Sequence, residues 1–151
     1  MSKMYVVIGA PGCGKSTYIQ NHLKENELVI SRDKIRFGML NDNDEYFSKE
    51  KEVYNEFIKQ IDAAIEAQTD VWVDQTSLNT SARNKLFSRL KKKPDEIIGI
   101  YFNVPLNIVL QRNAQRTGRA LVPEDAIHNM FFALERPTKK EGFTKILEVC
   151  E

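Results

Sequence analysis

Short apolar runs alternate along the chain with longer stretches whose apolar residues recur every three or four positions. These are the signatures of buried strands and of one-faced helices. Met4 to Ile8 reads as a strand, followed by a helix over Lys15 to Glu25. A second strand, Glu27 to Ser31, leads into a short helix near Lys34 to Leu40, and the polar run NDNDEYF then reads as a loop. From Lys49 to Ala67 the positions Val53, Phe57, Ile61, Ala64 and Ile65 mark one face of a long helix, which is expected to lie across the sheet. Val71 to Val73 (strand), Ser81 to Lys92 (helix), Glu96 to Asn103 (strand) and Pro105 to Ala114 (helix) continue the alternation. After a basic segment, QRTGRALVP, a last helix starts near Pro123, where proline suits the first turn, and a last strand covers Phe143 to Val149. Strands joined by helical crossovers predict an α/β fold: a five-stranded parallel sheet with helices on both faces. No repeat or linker interrupts the pattern, so residues 1–151 are expected to form one domain.

Composition narrows this reading in few respects. With 42% hydrophobic and 28% charged residues, 151 residues can bury a sufficient core without staples. No apolar run approaches the ~18 residues of a membrane span, and no signal peptide precedes the first strand, so no membrane association is expected. Cys13 and Cys150 read as free thiols of a reducing compartment, which makes the cytoplasm the expected location. A net charge of +1 exerts no global pull on a polyanion, so any nucleic acid must be held by a local patch. His22 and His128 lack partners at metal-ligand spacing, Trp72 reads as core, and Lys91 to Lys93 as a solvated helix end.

The chemistry starts at GAPGCGKST, residues 9–17. Gly9, Gly14, Lys15 and Ser16 fit the phosphate-binding pattern G-x-x-x-x-G-K-[ST], in the required setting between a strand and a helix. The glycines let backbone N–H groups turn toward a phosphate, and the helix that follows directs its positive end there. Ala10, Pro11, Gly12, Cys13 and Thr17 complete the cradle, with Cys13 as filler. Lys15 reaches the outer phosphates, and the Ser16 hydroxyl is suited to Mg²⁺. The expected ligands are therefore ATP and Mg²⁺ on a P-loop NTPase fold.

A cradle does not say where the phosphate goes. The run NKLF at Asn84 lacks the aspartate of a guanine-reading motif, and Asp74 is followed by Gln75 where a water-activating glutamate would stand. In SRDKIR, Asp33 falls just past the second strand, on the edge where open α/β sheets bind ligands. Arg36 follows at i+3, on the same helical face. A carboxylate there can take the proton of an attacking hydroxyl, and the guanidinium can hold an anionic part of the acceptor. Arg112, Arg116 and Arg119 form a third group. The first two are four apart and are expected on one helical face leading to a mobile lid, where they would neutralise transferring phosphate.

At these residues the chain resembles the 5′-polynucleotide kinases of phages and of bacterial RNA-repair systems. The resemblance is carried by GAPGCGKST, SRDKIR, VDQTSLN, YFNVPLNIVLQRNAQRTGRALVPEDAI and EGFTKILEV, in order over nearly the full chain. It implies Asp33 as general base on a 5′-hydroxyl and Arg36 as a contact to the adjacent acceptor phosphate. Lys15 and Ser16 become the phosphate and Mg²⁺ ligands, and Arg112, Arg116 and Arg119 the lid arginines, with Arg116 on the transition state. Asp74 and Thr76 become an acceptor-site pair, and Val122-Pro123 an apolar clamp on a base. The implied partner is the 5′-OH end of DNA or RNA, with no protein partner called for. An Asp-x-Asp-x-Thr phosphatase signature is missing from the sequence. Two other readings stay open: a kinase for a nucleoside, nucleotide or other small hydroxyl acceptor, and a regulatory nucleotide-binding module without turnover.

Overall fold

The strand β1 (Lys3–Ile8) runs through the middle of a five-stranded sheet because its side chains are apolar toward both faces: Met4, Val6, Val7 and Ile8 are all fully buried. The computed structural model of the chain describes residues 2–118 and 121–150. β2 (Leu28–Ser31), β3 (Val71–Asp74), β4 (Glu96–Asn103) and β5 (Lys145–Cys150) complete the sheet in the order β2-β3-β1-β4-β5, with every pairing parallel. The helices are α1 (Lys15–His22), α2 (Arg32–Met39), α3 (Glu50–Glu66), α4 (Thr80–Arg89), α5 (Leu106–Ala114) and α6 (Glu124–Ala133).

Alternate strand residues feed two core layers. Met4, Val6, Ile8 and Val73 pack with Phe57, Ile61 and Ile65 of α3 and Leu86 of α4. Val7, Trp72, Ile98, Ile100 and Phe102 pack with Ile19 of α1, Val109 of α5 and Ile127 of α6. The apolar face expected of the long helix is buried at every named position, together with Tyr54 and Ile58. Trp72 is core, stacked on Tyr5 at 4.2 Å between centroids. No helix among the described residues is long and apolar enough to cross a membrane.

Boundaries move where a side chain intercepts the backbone. α1 stops at His22, not Glu25, because the next residues form a turn closed by buried Glu27, whose carboxylate accepts from the Lys24 N–H at 2.8 Å and from the Trp72 indole at 3.0 Å. α2 starts two residues early, at Arg32, because the Ser31 hydroxyl caps the Lys34 N–H at 3.3 Å. α4 ends at Arg89 rather than Lys92: Leu90 is extended and the Lys91 N–H donates to Asp62 of α3 at 3.0 Å. β5 begins at Lys145, since Phe143 serves the core against Phe87 after a 3-10 turn over Lys139–Glu141.

Candidate active site

The glycines of the first loop are required by contacts as well as by torsion. Gly12 (φ 91°) and Gly14 (φ 102°) occupy the left-handed region. A Cβ on Gly12 would come within 2.9 Å of the Val109 carbonyl, and one on Gly9 within 2.5 Å of the Cys13 sulfur. Cys13 is buried under the loop, where burial pushes its thiol pKa up, as suits a filler. The Lys15 ammonium curls over the loop and donates to the carbonyls of Gly9 at 2.7 Å and Ala10 at 3.2 Å. Gly12 to Thr17 form one wall of a cleft of about 450 Å³. Tyr18, Asn21, Phe102 and Val149 line it further, and Arg112 and Arg116 close it.

The acceptor side is assembled by strand register. Ser31 of β2 stands opposite Asp74 of β3, and the Gly9 N–H after β1 donates to the Thr76 carbonyl at 3.0 Å. Three strand ends therefore converge on one edge of the sheet. Asp74 lies mostly shielded there, and its pKa is pushed up by burial against the opposing pull of Lys15, with the charge of Asp33 pushing it further up. Asp74 thus feels the charges of both Lys15 and Asp33 at this edge.

Asp33 sits in the first turn of α2 with its carboxylate 65% exposed, paired with Arg36 and accepting from the Tyr46 hydroxyl at 3.3 Å. Arg36 shares the first turns of α2 with Asp33 and is enclosed by its partners. Its side chain is 7% exposed and both carboxylate oxygens of Glu50 accept from it. Its remaining nitrogen donates to Asp33 and, at 3.1 Å, to Tyr46. A guanidinium held by Glu50, Asp33 and Tyr46 in this way orients its neighbours. Arg32 joins the same knot, donating to Glu50 at 2.8 Å and to Gln75 at 3.1 Å. Burial pushes the Glu50 pKa up, but hydrogen bonds and charge from Arg36, and then Arg32, outweigh it and hold it below 4.5.

The loop carrying Asp74 and Thr76 is held from beneath. Arg83 of α4 is fully buried and donates to the carbonyls of Ser77 at 2.8 Å and Leu78 at 3.1 Å, and to the Glu141 carboxylate at 2.6 Å. The Glu135 N–H adds a bond to the Leu78 carbonyl at 2.8 Å. Neither Arg83 nor Glu141 stands out in the sequence, because the partners are 58 positions apart and α4 reads as a solvated amphipathic helix. Glu50 and Tyr46 escape notice too; the one available sign was an aromatic pair inside the polar NDNDEYF loop.

The lid arginines reach the cleft by a different route than spacing suggests. α5 ends at Ala114 with Gln115 as its cap, so Arg116 lies beyond the helix and does not share a helical face with Arg112. Both still border the cleft, and the Arg112 guanidinium is close enough to Gly14 that a Cβ there would sit 3.2 Å from it. Arg119 lies outside the described residues. Buried Asn113 spans the base of this segment, donating to the Val122 carbonyl at 2.6 Å and accepting from its N–H at 3.0 Å. Val122 consequently packs on the core and Pro123 caps α6, and neither lines the cleft.

A family model described as an AAA domain matches residues 4–137. The chain belongs to this AAA domain family, AAA_33. An L-seryl-tRNA(Sec) kinase of Methanococcus maripaludis is similar, 30% identical over 148 residues that cover 91% of this chain and 54% of that protein. The chain thus spans about half the length of that curated relative. Among solved structures, the Pnkp1/Rnl/Hen1 RNA repair complex contains a chain similar in fold, with a TM-score of 0.75 at 22% identity over 88% of this chain and 44% of that one. A gluconokinase from Sinorhizobium meliloti is similar with a TM-score of 0.63 at 20% identity, over 98% and 82% of the two chains.

The AAA_33 chain therefore carries the P-loop kinase type of α/β fold, with a nucleotide cradle at the carboxyl edge of its sheet. Its donor set fits Mg²⁺, which takes one or two protein oxygens plus substrate phosphates rather than a full protein cage. Ser16 at the start of α1 and Asp74 at the end of β3 are oxygen donors of that kind, and no cluster of three or more metal-ligating side chains competes with them among the described residues.

Proposed function

We propose that this chain is an ATP-dependent kinase for the 5′-hydroxyl end of a DNA or RNA strand, with residues 1–151 acting as one catalytic domain. The observation that carries the reading is the strand register, which sets Ser31 and the start of α2 with Asp33 beside Asp74 and ties Gly9 of the phosphate loop to Thr76, at the sheet edge from which Lys15 and the arginine-lined cleft open. In the proposed reaction the acceptor oxygen bonds to the γ-phosphorus as the bond to the β–γ bridging oxygen breaks. ADP leaves, and the hydroxyl proton passes to Asp33. Lys15 and the loop N–H groups hold the phosphates. Arg112, Arg116 and Arg119 neutralise the charge that moves, with Arg116 acting on the transition state. Mg²⁺, held by Ser16 and Asp74, would supply further charge neutralisation on the β- and γ-phosphates. Arg36 acts as a positioning residue for Asp33.

The 30% identity to an L-seryl-tRNA(Sec) kinase favours a second reading, in which the hydroxyl is carried elsewhere on an RNA. Labelled ATP incubated with 5′-OH oligonucleotides, seryl-tRNA, nucleosides, mononucleotides and gluconate separates them. Label on strand ends supports the proposal. Label confined to seryl-tRNA moves the assignment to the second reading, and label confined to monomers removes both.

A further inference from the structure

Beside Asp33 the polar loop between α2 and α3 presents aromatic rings that the chemistry so far leaves unused. Phe37 lies one helical turn after Asp33 on α2 and is 38% exposed. Tyr46 packs edge-on against it at 6.0 Å between centroids, and Phe47 packs edge-on against Tyr46 at 4.5 Å. Phe47 is 66% exposed, so its ring is held in a fixed relation to its neighbours while leaving most of its surface in water. Such a ring forgoes much of the hydrophobic gain of burial, and three together are unlike the scattered single residues of an ordinary surface. The cluster is tied to the reacting carboxylate through the Tyr46 hydroxyl, 3.3 Å from Asp33, and the Arg36 guanidinium lies 4.7 Å from the Tyr46 ring and 5.6 Å from the Phe47 ring. The knot that orients Asp33 therefore also fixes the aromatic rings.

We infer that Phe37, Tyr46 and Phe47 form a ledge that stacks the base of the acceptor's terminal nucleotide, with Phe47 as the principal contact. This rests on the proposed polynucleotide reading and makes it more specific. Every base has a π-face, so stacking gives grip without sequence preference, and it demands no global positive charge. It also names a specificity element: an acceptor without a planar ring leaves the ledge unused.

The test compares a 5′-OH oligonucleotide carrying an ordinary terminal nucleotide with one whose terminal nucleotide is abasic, using the wild-type chain, Phe47→Ala and Phe47→Trp. The wild type is expected to show a KM roughly ten- to a hundredfold lower for the ordinary end, the scale of one base–aromatic stack. Phe47→Ala is expected to erase that preference through KM for the acceptor, and Phe47→Trp to keep it. A preference that survives Phe47→Ala, or is missing in the wild type, overturns the ledge. If the wild type labels nucleosides but no strands, the polynucleotide reading fails, and the ledge is judged by adenosine against ribose with the same variants and the same criteria. If it labels no ring-bearing acceptor, quenching of Phe47→Trp emission by adenosine or the oligonucleotide beyond that of the wild type, whose emission comes from Trp72, supports the ledge, and quenching no greater than the wild type's overturns it.

Discussion

At Arg36 one buried guanidinium serves three partners, and its geometry is what a lysine cannot copy. Arg36→Lys keeps the charge but loses the fork onto Glu50, so Asp33 is released from its orientation. Transfer is expected to slow at least tenfold with ATP affinity unchanged, a split that parallel rate and binding measurements resolve. Gly12→Ala acts on the other substrate. Its positive φ and the Val109 carbonyl 2.9 Å from the new methyl impose strain of about 1–3 kcal/mol, expected as a weaker ATP Kd in equilibrium titration. The two residues also mark how far single residues could be read from the chain. The loop glycines and Lys15 announce themselves because local backbone geometry demands them within a fixed spacing. The enclosure of Arg36 is not legible in the chain, because it depends on Glu50 and Tyr46, 14 and 10 positions away, whose approach depends on how α3 packs beside α2.

Among the elements, β4 and the buried face of α3 were evident from apolar pattern alone, since burial on a sheet face leaves a periodic trace. The ends of α1 and α4 were not, because Glu27 and Asp62 terminate or redirect the backbone from outside the helix they affect. The relation of Arg112 to Arg116 failed for the same reason: helical spacing holds only as far as the helix continues. The loop after β3 owes its shape to α4 through Arg83, which is fully buried with a Glu141 side chain only 4% exposed. Removing one member of such a pair leaves a buried charge, so Glu141→Ala is expected to destabilise the fold by about 3–5 kcal/mol in urea unfolding. Left unpaired, Arg83 would also loosen its hold on the loop carrying Asp74 and Thr76.

For the molecule as a whole, the sheet order matters more than any one contact. Placing β3 between β1 and β2 brings the P-loop, Asp74 and Asp33 to adjacent strand ends. The alternation of elements predicted a parallel sheet but carried no strand order, which is a property of crossover connections and not of any local segment. The same charges set the acid limit of the fold. Glu50 and Glu141 have pKa values held below 4.5, so the stability they contribute is complete above that pH and is lost as pH falls through their lower folded values. Asp74, raised above 3.8, works the other way and loses stability as pH rises through its folded value. Urea midpoints are expected to fall on acidification below pH 4.5, with a shallower slope in Glu50→Gln and Glu141→Gln. The claim on which the functional account turns is that Asp33 accepts the proton of the attacking hydroxyl. Single-turnover transfer from ATP to a 5′-OH oligonucleotide, measured for the wild type and Asp33→Asn at matched ATP occupancy, tests it most directly. A loss of about 10²- to 10⁴-fold in rate with ATP affinity retained is the expected result; transfer by Asp33→Asn at the wild-type rate would contradict it.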